Sequence, residues 1–136
     1  MFVARAVGWS MAPIINPNDQ LFISKVGHHA FKVGDIVVYL QRGALISHRI
    51  IRISFHGIYL KGDNSFQFDT VIRPESILGK VVKVRGKYGC YRLTGFLSSV
   101  IAYYYVIFSV ILYIMPYKYF LRNYYPGRRV LLFLLK

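Results

Sequence analysis

GDIVVYLQRGALISHRIIRISFHGIYLKGDN (34–64) is the stretch whose reading decides the fold. It is built of short apolar runs separated by turn residues. IVVYL (36–40) follows Gly34-Asp35, LISHRIIRI (45–53) runs into His56-Gly57, and IYL (58–60) ends at Lys61-Gly62-Asp63-Asn64. Branched and aromatic side chains suit a pleated surface, and Gly, Asp and Asn suit the turns between strands. The same texture continues outward. LFI (21–23) follows the turn NPND (16–19), and ILGKVVKV (77–84) alternates apart from Gly79. No stretch of helical period precedes residue 93. The reading is a small, mainly β domain, antiparallel or mixed, over residues 1–90.

The composition changes sharply after that domain. The chain of 136 residues carries 18 Lys+Arg and 5 Asp+Glu, a formal net charge of +13. All five acids lie in residues 1–79, and residues 80–136 hold ten basic residues and no acid. Within that basic part lies an uncharged run of 25 residues, LTGFLSSVIAYYYVIFSVILYIMPY (93–117). As a helix it would extend about 37 Å, against a hydrocarbon core of about 30 Å. A transmembrane helix is therefore expected over 91–117, followed by a basic, partly apolar tail over 118–136. The expected localisation is the membrane, with a single C-terminal pass. Five basic residues precede the run (Lys80, Lys83, Arg85, Lys87, Arg92) and five follow it (Lys118, Arg122, Arg128, Arg129, Lys136). This tie leaves the side of the domain open under the positive-inside rule. Tyr103, Tyr104 and Tyr105, near the middle of the run, suggest a partner membrane subunit.

The basic residues fit lipid head groups beside an apolar span better than nucleic acid. No helix-turn-helix, zinc or RNA-binding signature accompanies them, so no nucleic-acid partner is expected. MFVARAVGWS (1–10) has no apolar core of signal-peptide length. The single cysteine, Cys90, excludes an intramolecular disulfide. His28, His29 and His56 lack metal-ligand spacing with carboxylates and read as surface loop positions. No metal and no cofactor are expected.

The residues with chemical capacity fall in three clusters. Ser10 lies in Gly8-Trp9-Ser10-Met11-Ala12-Pro13, His48 in Ser47-His48-Arg49, and Asp63 in Lys61-Gly62-Asp63-Asn64, with Asp69 six residues later. A serine hydroxyl becomes a nucleophile when a base removes its proton. An imidazole can do so near neutral pH, and a carboxylate on its other nitrogen fixes its tautomer. Each residue alone reads more simply as structure: Ser10 and Asp63 as turn residues, His48 as a strand residue, Arg49 and Lys61 as strand-edge charges. Arg49 also stands where it could hold an Asp.

At these clusters the sequence resembles the type I signal peptidase superfamily, which includes the self-cleaving domains of SOS-type repressors. Ser10-Met11-x-Pro13 resembles the nucleophile motif, VGDIV (33–37) the strand after it, and ILGKVV (77–82) the closing strand. The resemblance covers roughly residues 5–85. Most bacterial members pair serine with lysine. Here the base position reads His48-Arg49, which resembles the Ser/His branch of archaeal and endoplasmic-reticulum signal peptidases. The resemblance implies catalytic Ser10 and His48, Asp69 as the carboxylate behind the histidine, and Asp63 as a supporting residue that shapes the site. It also implies an extended substrate lying beside the serine as an added strand, with small side chains at the first and third positions before the cut. Residues 3–9 and 31–39 are the expected groove walls.

The function so implied is a membrane-anchored serine endopeptidase that removes signal or leader peptides from precursor proteins. The sequence departs from the family in its anchor, which follows the β-domain instead of preceding the serine. A domain on the outer face would process secreted precursors. One on the cytoplasmic face would mature a small ribosomally made peptide. The alternative from another class is a membrane-anchored adaptor that binds peptides in the same groove without turnover.

Overall fold

The computed structural model describes residues 1–27, 30–65, 67–69, 71–87, 89–94 and 96–114. Among the described residues, seven strands form one antiparallel sheet: β1 (Phe2–Arg5), β2 (Gln20–Ser24), β3 (Ile36–Gln41), β4 (Ala44–Ser54), β5 (Gly57–Lys61), β6 (Ile77–Gly86) and β7 (Gly89–Arg92). Their order is β1-β2-β6-β3-β4-β5, and β7 pairs with β6. A 3₁₀ turn, Pro74–Ser76, leads into β6. The mainly β expectation holds, with antiparallel pairing throughout the described strands.

The run IVVYL takes the central position for a physical reason. Ile36 and Val38 enter one core with Met11, Ile15, Leu21, Ile23, Val81 and Val84. Val37 and Tyr39 enter a second core with Phe31, Ile50, Ile58, Leu60 and Ile77. Alternate residues of a strand point to opposite faces, so β3 is buried on both. A continuous apolar run, without polar alternation, is what such a strand requires.

Two strands are absent from the sequence expectation. β1 is four residues long and alternates between half-buried and exposed positions, and all four residues of β7 are exposed. Short edge strands bury little, so their sequences carry a weak pattern. β7 carries the sheet to Arg92.

The C-terminal helix, α1, spans Phe96–Ile114, inside the stretch expected as membrane-spanning. Its 19 residues extend about 28 Å. No helix among the described residues is long and apolar enough to cross a membrane. The remainder of the expected span, 115–117, and the tail 118–136 lie outside the described residues, as do His28 and His29. One face of α1 is held on the β-domain: Ala102 is buried, and Tyr105 lies over the Arg49 guanidinium, 5.2 Å from charge centre to ring centroid. The opposite face exposes Tyr103, Tyr104, Ile107 and Ile111.

Candidate active site

Ser10 sits in a tight turn that follows the extended N-terminal segment. The turn closes through Ala12 N–H to the Trp9 carbonyl (3.1 Å) and Ile15 N–H to the Met11 carbonyl (2.9 Å). Met11 and Ile15 are buried in the first core, which pins the turn and leaves the Ser10 side chain at its edge. His48 comes from β4, directly opposite Val37 of β3. Directly opposed residues share a sheet face, so the imidazole lies on the side that carries Val37 and Tyr39.

That register places His48 Nε2 3.1 Å from Ser10 Oγ. The other ring nitrogen, Nδ1, is in close hydrogen-bond contact with Asp69 Oδ2. Asp69 is tied to β5 by its backbone N–H, which donates to the Leu60 carbonyl at 2.9 Å. Three side chains separated by 38 and 21 positions thus form one chain, hydroxyl to imidazole to carboxylate. With Nδ1–H donated to the carboxylate, Nε2 is left as the acceptor that faces the hydroxyl.

Asp63 stands apart from that chain. It receives two hydrogen bonds from Arg49, Nε to Oδ1 at 2.8 Å and Nη2 to Oδ2 at 2.7 Å. Arg49 Nη1 donates to the Gly34 carbonyl at 2.7 Å. The pair is buried, and it fixes the loop on which the serine turn rests. Asn64 N–H donates to the Ser10 carbonyl at 2.7 Å, and Asn64 Nδ2 to the Trp9 carbonyl at 3.2 Å.

Gly62 is where this loop passes closest to the reacting groups. A Cβ there would fall 2.5 Å from Ser65 Oγ, 2.7 Å from the Ser10 carbonyl oxygen and 3.1 Å from His48 Nε2. Gly62→Ala is therefore expected to push the turn and imidazole apart. A misplacement near 1 Å costs about 10²-fold in rate. Peptide cleavage should fall by about that factor, with KM little changed. A Gly62→Ala chain with wild-type turnover would show that the approach is not needed.

Sequence reading missed two residues at the site. Tyr39, wholly buried, donates its phenol to Asp69 Oδ2 at 3.1 Å and so holds the carboxylate that faces the histidine. Its signal was hidden because a tyrosine in IVVYL reads as apolar core. Lys61 reads as a strand-edge charge but is 0% exposed. Its ammonium donates to the Gly62 carbonyl at 3.3 Å. Burial lowers its pKa, opposed by the charges of Asp63 and Asp69. The correction follows from register: Lys61 lies opposite Arg49, at the end of β5 that enters the site. His56 is exposed in the β4–β5 turn, as expected. No group of His, Cys, Asp and Glu among the described residues could hold a metal ion.

Burial, then the nearby Asp69 charge, raises the Tyr39 pKa well above its ordinary 10.0. The unfolded chain ionises this phenol near pH 10 and the folded chain does not. Folding is thus favoured fully below pH 10 and progressively less above it. Tyr39→Phe removes that linkage. Urea melts between pH 9 and 11 should show a shallower alkaline loss of stability in the variant than in wild type. Parallel slopes would mean that Tyr39 ionises freely in the fold.

A groove of about 410 Å³ opens beside the serine. One wall is residues 3–8, as expected. The other is Leu45, Ile46 and Ser47 of β4, and of the expected 31–39 wall only Val38 contributes. The reason lies in the pairing. β4 meets β3 through Ala44–Arg49 and β5 only from Arg49 onward. The first half of β4 therefore keeps a free edge among the described strands, and β1, paired only with β2, keeps another.

Compared with known families, residues 1–82 match the model described as Peptidase S24-like. The match spans Ser10, His48, Asp63 and Asp69. No curated protein matches the chain.

Proposed function

This chain belongs to the Peptidase S24-like family, and on that footing we propose that it is a serine endopeptidase that removes signal or leader segments from precursor proteins. The observation that carries the proposal is the continuous contact from Ser10 Oγ through His48 to Asp69. Ser10 attacks the peptide carbonyl while His48 Nε2 takes its proton. His48 then returns that proton to the leaving amine, and water releases the acyl-enzyme by the same route reversed. Asp69 stabilises the imidazolium that forms between these steps. The Ser10 N–H offers a backbone donor for the oxyanion.

The groove supports an extended substrate. Its two free strand edges offer backbone hydrogen bonds to an inserted segment, in the manner of strand addition. Its apolar walls, Val3 and Val7 against Leu45 and Ile46, favour small side chains at the first and third positions before the cut. We further propose that the C-terminal part attaches the chain to a membrane. The uncharged run and its basic flanks support this. Ala102 and Tyr105 stay with the domain, so a complete pass would need residues beyond Ile114. Anchoring on either face is compatible with the charge tie, giving secretory precursors or a cytoplasmic peptide as substrates.

The test is digestion of a peptide library by the full chain in detergent, with cut sites mapped by mass spectrometry. Cuts after small residues, absent with Ser10→Ala, are expected. Peptides bound but never cut would favour the adaptor reading.

A further inference from the structure

Two contacts of α1 fall on Gly34 and Arg49, and Arg49 holds Asp63 in the loop that supports Ser10. Ala102 packs against Gly34 so closely that a Cβ on Gly34 would lie 2.8 Å from the Ala102 Cβ. Gly34 itself has φ +94, a conformation suited to glycine, and its carbonyl accepts from Arg49. One turn further along the helix, Tyr105 lies over the Arg49 guanidinium. Three N–H groups of Arg49 are committed within the β-domain, Nε and Nη2 to Asp63 and Nη1 to the Gly34 carbonyl. What it offers is the flat face of the cation, which an aromatic ring covers favourably.

From these contacts we propose that α1 completes the peptidase site, with Tyr105 as a positioning residue that acts through Arg49 and Asp63. The ring fixes the plane of the guanidinium. The guanidinium fixes both oxygens of Asp63, and with them the loop whose Asn64 N–H holds the Ser10 carbonyl. Gly62 in the same loop abuts His48 Nε2. The helix is thus linked to both reacting groups through Arg49 and Asp63. The uncharged run then has two duties on two faces: Ala102 and Tyr105 serve the site, and Tyr103, Tyr104 and Ile107 face outward. Anything that pulls the helix from the domain would loosen the serine turn and lower the peptidase rate.

This inference rests on the serine-peptidase reading, and the experiment separates the two. The full-length chain is treated with a fluorophosphonate, and the rate of Ser10 modification is followed by mass spectrometry. Tyr105→Leu removes the ring, Tyr105→Phe retains it, and Tyr103→Leu changes the exposed face as a control. Melting curves accompany each variant, and rates are compared at a temperature where all are folded. Tyr105→Leu is expected to react about tenfold more slowly, while Tyr105→Phe and Tyr103→Leu stay within about twofold of wild type. Cleavage kinetics should show the loss in kcat, with KM unchanged. Equal rates in wild type and Tyr105→Leu would overturn the proposal. So would an equal loss in Tyr105→Leu and Tyr105→Phe, because the ring would then not be the acting group. A wild-type chain in which Ser10 is not modified at all would reject the peptidase reading itself.

Discussion

Ser10→Ala is expected to lower peptide cleavage by at least about 10⁴-fold, because the bond-forming oxygen is removed and the remaining groups offer only binding and electrostatic help. His48→Ala should cost about as much, since the hydroxyl then has no base. The double variant should be hardly worse than either, because the two act as one unit. The stability of Ser10→Ala should scarcely change. Ser10 lies at the margin of the first core, and its hydroxyl has His48 as partner, not a buried orphan. The checks are product formation with any peptide the wild type cuts, and a melting curve for each variant. Cleavage that survives either change would remove the residue from the reaction.

The second large effect falls on stability. Arg49→Met should destabilise the fold by about 3–5 kcal/mol, the usual cost of leaving one partner of a buried ion pair alone. Asp63 has a side chain 0% exposed and takes two hydrogen bonds from this one guanidinium. Without them its buried carboxylate loses both hydrogen bonds and keeps only the nearby Lys61 charge as an offset. The Gly34 carbonyl loses its donor at the same time. Arg49→Lys should fall between the two, since an ammonium cannot make the bidentate contact. Denaturant unfolding measures this directly. A loss under about 1 kcal/mol in Arg49→Met would mean that the pair contributes little.

Asp63 and Asp69 therefore differ in kind, although both are carboxylates of one loop. Asp69 faces the histidine and Asp63 holds the scaffold. Ser10, His48, Asp63 and Asp69 were legible as candidates through the resemblance of their clusters to the signal peptidase superfamily, while each alone reads as structure. The β architecture was legible because IVVYL, LISHRIIRI and IYL carry their own pattern. Tyr39, Lys61 and Tyr105 were not legible. Their roles depend on partners 30 or more residues away, or on a register that no local pattern reveals. A tyrosine within an apolar run looks like core, and a lysine at a strand end looks like surface. The run at 93–117 was legible as apolar, and over Phe96–Ile114 as helical, but not as a helix with one face on the β-domain.

The central claim is that His48 makes Ser10 a nucleophile. Its most direct test is the rate at which a fluorophosphonate modifies the wild-type chain and His48→Ala, with the modified residue identified by mass spectrometry. Modification at Ser10 in wild type, slowed by about 10³-fold or more in His48→Ala, is predicted. Modification elsewhere, or at Ser10 with the same rate in both chains, would contradict it.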